Sequence, residues 1–145
     1  MEKQIFLLNL FSVIFLTGVI WLVQLVQYPH FSQIGAESFP KFHASHSFWI
    51  APVVAPPMII ELITSIFLII YPLNNEDSKL FWAGLILTLL VWLSTFFLQV
   101  PMHEKLSQGF DAEAQKFLVN SNWIRTIAWS LHSFLLIYLV WKNLK

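Results

Sequence analysis

The stretch LFWAGLILTLLVWLSTFFLQV runs from Leu80 to Val100 without a charged side chain. A helix needs about 20 apolar residues to cross the hydrocarbon core of a bilayer, so this stretch is long enough to span a membrane. Three further stretches share its length and apolar character, and the four predicted spans are about residues 5–28, 48–71, 80–100 and 123–141. We therefore predict an all-α fold, a polytopic membrane four-helix bundle.

The composition supports a membrane protein and excludes several other classes. Hydrophobic residues make up 57% of the chain and charged residues 11%, against about 25% charged in ordinary globular domains. No basic cluster is present for a nucleic acid, and no glycine-rich motif for a nucleotide cofactor. The chain lacks cysteine, which excludes thiolate metal sites and cysteine nucleophiles. We expect residues 1–145 to form a single domain whose partners are the lipid bilayer and a lipophilic small molecule.

Polar residues between the predicted spans indicate where the chain turns. Turns are predicted at Tyr28-Pro29-His30, Pro72-Leu73-Asn74-Asn75, Val100-Pro101-Met102 and Asn120-Ser121-Asn122. The two longer connections, residues 29–47 and 101–122, lie on one side of the membrane, which we call the loop face. Each is predicted to contain a short amphipathic helix, the first capped by Ser38 and the second by Asp111. Ser121 or Asn122 is then predicted to cap the fourth helix.

The orientation in the membrane depends on how the positive charges are distributed. Lysine and arginine are divided equally between the two sides, so the positive-inside rule does not decide it. The free amino terminus and a functional use of Arg125 favour termini in the cytoplasm.

The two halves of the chain resemble each other. Gln27-Tyr28-Pro29-His30 pairs with Gln99-Val100-Pro101-Met102-His103, and Ser47-Phe48-Trp49-Ile50 with Ser121-Asn122-Trp123-Ile124. Between them, Ala36-Glu37 and Lys41-Phe42 pair with Ala112-Glu113 and Lys116-Phe117, so that the offsets run from 72 to 76 residues. One interpretation is a duplication that produces two parallel-repeat helical hairpins. The other is that proline turns and tryptophan belts recur in any membrane hairpin.

Polar and aromatic side chains form stripes on three of the predicted helices. Spacings of three and four place on one helical face the sets Thr17, Trp21, Gln24 and Tyr28; Thr88, Trp92, Thr95 and Gln99; and Arg125, Trp129 and His132. Small polar residues commonly pack between membrane helices, whereas aligned glutamine, arginine and histidine indicate a pocket. The predicted substrate-binding residues are Gln24, Tyr28, Gln99 and Trp129, in a pocket that opens on the loop face.

Two ionisable residues lie near the middle of the bilayer. A bare carboxylate there costs about 2.5–3.5 kcal/mol on insertion scales, so Glu61 should be protonated or paired. The ionisable residue at the same depth in the bilayer is His132. The pair either fixes the bundle or handles a proton. Three prolines precede Glu61 in the second helix, and we expect them to kink it and free backbone carbonyls.

The remaining histidines gather at the loop face. His43 and His46 have an i, i+3 spacing that places both imidazoles on one side of a helix, where they could bind Zn, Fe or Cu. An acid/base role without a metal is the alternative. His103, from the second connection, is a further candidate for either role.

The motifs Val100-Pro101-Met102-His103 and Asn122-Trp123-Ile124-Arg125-Thr126, in a four-helix chain of this length, resemble the anthrone-oxygenase-like small bacterial membrane proteins. The resemblance implies a bacterial inner membrane, a lipophilic polycyclic or quinone-like substrate, and an oxygenase reaction without a nucleotide. The matched positions are Pro101, His103, Asn122 and Arg125, which adds Asn122 to the substrate-binding candidates.

Two classes of function remain open at this point. As an oxidoreductase of the oxygenase type, the protein would use His103 or His132, with Glu61, to move a proton. Arg125 would hold an anionic or enolate oxygen. As a non-catalytic protein, it would bind or carry a lipid or small molecule, with a carrier acting as a homodimer, or serve as an accessory subunit of a membrane complex.

Overall fold

The computed structural model describes residues 1–143 of the chain. In this part, four helices are long and apolar enough to cross a membrane: α1 (Glu2–Gln33), α2 (Phe39–Ile70), α3 (Asn75–Ser107) and α4 (Ala112–Asn143). No strand occurs among these residues. The predicted all-α four-helix bundle is confirmed, and the chain is a multi-pass integral membrane protein.

The four helices form a square bundle in which each helix packs against two others. α1 contacts α2 and α4, and α3 contacts the same two helices, so α1 and α3 lie across a diagonal. Consecutive helices run antiparallel because short connections join them. This arrangement leaves space along the bundle axis toward the loop face.

The turns predicted at the two proline motifs are wrong, because α1 and α3 continue through them. A π-helical segment precedes each proline, Val23–Gln27 in α1 and Thr95–Gln99 in α3. Pro29 and Pro101 then stand at the start of the next helical segment, where a missing N–H is tolerated. The two π-helical segments lie 72 residues apart, which agrees with the proposed duplication.

The predicted amphipathic helices of the loop face are likewise not separate elements. They are the first turns of α2 and α4, which run on into the membrane without a break at residues 120–122. Ser121 and Asn122 therefore lie inside α4 and do not cap it. Asp111 does cap α4, since its Oδ1 accepts a 2.8 Å hydrogen bond from the Ala114 amide. The turn at residues 72–75 is present between α2 and α3.

The helix packing buries two apolar clusters with a polar layer between them. Leu16, Val91 and Leu118 belong to the cluster nearer the loop face, and Leu68 and Leu136 belong to the one nearer the termini. The buried polar layer between them contains Asn9, Thr64, Ser65, Thr88, Glu61 and His132. Large apolar side chains cover the outer surface, as lipid contact requires.

Candidate functional site

A cavity of about 530 Å³ lies among the four helices in the half of the bundle nearest the loop face. Ligand pockets commonly have volumes of about 300–1,000 Å³. Most of its wall surface is apolar, but eleven of the lining residues are polar or aromatic: Tyr28, His43, His46, Ser47, Thr95, Gln99, His103, Glu104, Ser107, Arg125 and Trp129. The cavity lies where the sequence predicts a pocket.

Two predicted substrate-binding residues lie behind the cavity wall and not in it. The Asn122 amide donates a 2.8 Å hydrogen bond to Gln24 Oε1, and Gln24 Nε2 donates to the Val119 carbonyl. Neither residue lines the cavity. Both side chains are buried and hydrogen-bonded, so they connect α1 to α4.

A chain of hydrogen bonds runs along the polar wall of the cavity. Tyr28 Oη lies 2.9 Å from His103 Nε2, and His103 Nδ1 lies 3.0 Å from His43 Nε2. The π-helical segments of α1 and α3 precede Tyr28 and His103, and π-helical turns are frequent at functional sites. The three side chains come from α1, α3 and α2, so the chain connects three helices and can pass a proton between them.

His46 completes a group of three imidazoles. Its ring stacks on His103 with centroids 6.1 Å apart, and the His43 centroid lies 5.2 Å from that of His103. Within residues 1–143, no group of three or more histidine, aspartate or glutamate side chains is arranged to hold a metal ion. The hydrogen bond between His43 and His103 occupies the ring nitrogens that point toward each other.

Arg125 is a buried cation that lacks an anion. The residue is 6% exposed, and its Nη1 donates a 3.4 Å hydrogen bond to Asn122 Oδ1. Its guanidinium carbon lies 5.1 Å from the centre of the Trp129 ring, and it is a neighbour of the Tyr28 hydroxyl. No carboxylate in residues 1–143 lies within 4.0 Å of it, although an uncompensated buried charge is costly.

Three buried polar atoms of the cavity lining have no hydrogen-bond partner among the described residues. They are Arg125 Nε, His43 Nδ1 and Ser47 Oγ, and they come from two helices. Buried polar groups are almost always satisfied in folded proteins. The unsatisfied atoms therefore indicate a site that takes a polar group from a ligand or from water.

Glu61 lies directly beneath the cavity and is fully buried. Its carboxylate accepts hydrogen bonds from Thr88 Oγ1 at 3.0 Å and Trp129 Nε1 at 2.9 Å, and Oε1 lies 3.1 Å from His132 Nδ1. The predicted contact between Glu61 and His132 is present. Neither residue lines the cavity, and Trp129 separates them from it.

Sequence reasoning missed two residues that support this layer. Asn9 Nδ2 lies within hydrogen-bond distance of the Glu61 carbonyl, Thr64 Oγ1 and Ser65 Oγ. The sequence feature that could have identified Asn9 is an amide side chain inside an apolar stretch. Gly84 leaves room for His132, because a Cβ there would lie 2.8 Å from His132 Nε2. No pattern in the sequence indicated that close approach.

The fold and the site define a four-helix integral membrane protein with an apolar cavity, a buried arginine and a wall of hydrogen-bonded histidine and tyrosine. The chain matches no protein-family model, no curated protein and no solved structure.

Proposed function

We propose that this protein binds a lipophilic molecule that carries one acidic oxygen group, a phenol, an enol or a carboxylic acid, in the cavity. The proposal rests on Arg125, a buried guanidinium at the cavity wall with no carboxylate of residues 1–143 within 4.0 Å. An anionic oxygen beside Arg125 would supply the missing counter-charge and satisfy the free Nε. The aliphatic walls would bury the rest of the molecule.

The hydrogen-bonded wall supports a second step, removal of the acidic proton. The ligand hydroxyl gives its proton to the Tyr28 oxygen as the Tyr28 proton passes to His103 Nε2. The proton on His103 Nδ1 passes in turn to His43 Nε2. The products are a ligand anion paired with Arg125 and an imidazolium at His43, whose Nδ1 is unpartnered. Stabilisation of a developing oxyanion in a dry site is a large catalytic effect.

An enolate or phenolate held in this way suits an oxidoreductase of the oxygenase type, with dioxygen as the second substrate. That proposal agrees with the resemblance to the anthrone-oxygenase-like proteins and with a polycyclic or quinone-like substrate. Non-catalytic binding or transport is the alternative, and it needs only Arg125 and the apolar walls. Oxygen consumption by the protein in the presence of the ligand distinguishes the two.

Ligand charge is the variable that tests the binding proposal. The protein in phosphatidylcholine nanodiscs is titrated with naphthoate and with naphthamide, which has the same shape without a charge, and tryptophan fluorescence is followed. We expect the acid to bind at least about tenfold more tightly than the amide. We expect Arg125→Met to abolish this difference.

Lys116→Met is the matched control, because Lys116 is an exposed cation on the same helix. It should leave the preference for the acid unchanged. Equal binding of acid and amide by the wild type, or an unchanged preference in Arg125→Met, would contradict the proposal.

A metal ion at His43 and His46 is a separate proposal, supported by the closeness of three imidazoles. His43 Nδ1 would be the ligand to Zn, Fe or Cu, because it has no hydrogen-bond partner among the described residues and Nε2 is bonded to His103. Elemental analysis of the wild type beside the His43→Ala/His46→Ala variant tests it, and about one equivalent of metal lost in the variant is the supporting result.

We also propose that the protein lies in a bacterial inner membrane with both termini in the cytoplasm, and that it forms a homodimer. Since the chain has no cysteine, single cysteines can be introduced without background. A cysteine at Ser38 should react with an impermeant maleimide from the periplasmic side, and one at Glu76 should not. Mass photometry of nanodiscs tests the dimer.

A further inference from the structure

A second space lies between α1 and α2, beside the cavity. Its volume is about 510 Å³, and Phe31 of α1 and Phe42 and Val53 of α2 are among its lining residues. Trp49 also lines it and is 67% exposed, so the space is open at the outer surface of the bundle. We call it the α1–α2 groove.

Two side chains separate the groove from the cavity. His46 and Ile50 are about one turn apart on α2, and both line both spaces. The two spaces therefore share a wall made of these two side chains, and displacement of the side chains would join the spaces.

Two unpaired polar atoms lie on either side of this shared wall. Gln27 Oε1 belongs to the groove lining and Ser47 Oγ to the cavity lining, and neither has a hydrogen-bond partner among the described residues. In the second half of the chain, the corresponding residues do pair, since Gln99 Nε2 donates to Ser121 Oγ at 3.0 Å. The α1–α2 contact lacks the bond that joins α3 to α4.

We propose that the α1–α2 groove is a binding subsite for a single aliphatic chain that belongs to the ligand in the cavity. The proposal rests on the function proposed above and narrows the ligand class to an amphiphile with one acidic head group and one alkyl or isoprenoid chain. The head group pairs with Arg125, and the chain passes between His46 and Ile50 to lie against Phe42 and Val53. Burial of apolar surface drives its binding.

The occupant is the tail of the cavity ligand and not a chain of a bilayer phospholipid. Because the two spaces meet at His46 and Ile50, a chain attached to the cavity ligand would occupy the groove only when the cavity is occupied. A phospholipid chain would enter the groove from the bilayer without any dependence on Arg125. This difference makes the two sources distinguishable.

The test uses octadecanoic acid that carries a photoactivatable diazirine near its methyl end, added to the protein in phosphatidylcholine nanodiscs. After irradiation, mass spectrometry locates the labelled residues. We expect label on the α2 peptide that contains Phe42 to Val53, lost on competition with unlabelled octadecanoic acid and lost in Arg125→Met.

Val53→Trp fills the groove without changing a residue that lines the cavity. We expect it to lower groove labelling about tenfold and to leave naphthoate binding unchanged, which also shows that the variant is folded. Ile59→Trp is the matched control, because Ile59 is a bilayer-facing residue of the same helix and should label like the wild type.

Groove labelling that persists in Arg125→Met, or that is unchanged in Val53→Trp, would overturn the proposal, as would label spread over all bilayer-facing helices. Naphthoate has no aliphatic chain, so its binding tests the Arg125 site independently of the groove. If naphthoate binding depends on Arg125 and the groove is not labelled, the tail subsite alone is refuted. If naphthoate binding is also independent of Arg125, the proposed function has failed as well.

Discussion

The Trp129 indole N–H donates a 2.9 Å hydrogen bond to Oε2 of Glu61. The same indole ring lies beneath the Arg125 guanidinium, 5.1 Å from its central carbon. Trp129 therefore joins the buried carboxylate layer to the cavity, and it separates an unpaired cation from the nearest deeply buried acid. The position of Arg125 depends on a tryptophan that Glu61 holds in place.

Trp129→Phe tests this dependence. An aromatic ring remains, but Glu61 loses a buried hydrogen-bond donor, which costs about 1–3 kcal/mol, and the smaller phenyl ring leaves part of the buried indole volume empty. We expect that loss in the free energy of unfolding, measured by SDS titration in mixed micelles, together with weaker naphthoate binding. Trp82→Phe, at a bilayer-facing position, should change neither quantity. An unfolding free energy equal to that of the wild type would show that the hydrogen bond does not support the fold.

Gly84 and His132 make a second testable pair. Gly84→Ala places a Cβ 2.8 Å from His132 Nε2, and such overpacking costs about 1–3 kcal/mol. In a His132→Ala background the clash is gone, and alanine is favoured over glycine in a helix by about 1 kcal/mol. We therefore expect Gly84→Ala to destabilise the wild type and to be neutral or stabilising in His132→Ala.

Unfolding free energies of the four members of this double-mutant cycle check the prediction. Gly18→Ala is the control, because no atom lies within 4 Å of a Cβ there. If Gly84→Ala lowers the free energy of unfolding equally with and without His132, the close approach of His132 is not the reason for glycine at this position.

Hydropathy predicts the four spans because each is a long apolar stretch, and this signal needs no knowledge of the helix neighbours. It fails at the helix ends. Pro29 and Pro101 read as turns, yet each follows a π-helical segment that lets the helix continue. The helices extend beyond the hydrocarbon core, where polar residues such as Ser121 are compatible with helix and turn alike.

Helical periodicity predicts which residues share a face, so Tyr28, Gln99 and Arg125 were expected in one pocket. Contacts between helices depend on rotation and register, which one sequence does not specify. The bond between Trp129 and Glu61 and the bond between His43 and His103 are contacts of this kind. Gln24 illustrates the same limit. It shares a helix face with Tyr28, which lines the cavity, but its side chain accepts a hydrogen bond from Asn122 behind the cavity wall.

The connection between α3 and α4 is predicted to be sensitive to acid. Asp111 Oδ2 lies 2.7 Å from Lys105 Nζ, and hydrogen bonds from Lys105 and from the Ala114 amide hold the pKa of the Asp111 carboxyl below its usual range. A carboxyl with a lowered pKa in the folded state stabilises it above the unfolded pKa, about 3.9. That contribution disappears as pH falls through the folded pKa.

We expect the melting temperature of the wild type to fall below about pH 4 by more than that of Asp111→Asn, which keeps a capping side chain but does not titrate. Circular dichroism melts from neutral pH to below pH 4 measure the difference. Parallel curves for the two proteins would show that Asp111 does not contribute to acid sensitivity.

The two serines at corresponding positions in the two halves should respond differently to the same substitution. Ser121→Ala leaves the buried Gln99 amide without its acceptor, so we expect a loss of about 1–3 kcal/mol in the free energy of unfolding. Ser47→Ala removes a hydroxyl that has no partner among the described residues, so we expect no loss. SDS titration of both variants beside the wild type measures the contrast. Equal losses would mean that Ser47 is bonded to Gln27 in the membrane, and that α1 and α2 are closed there as α3 and α4 are.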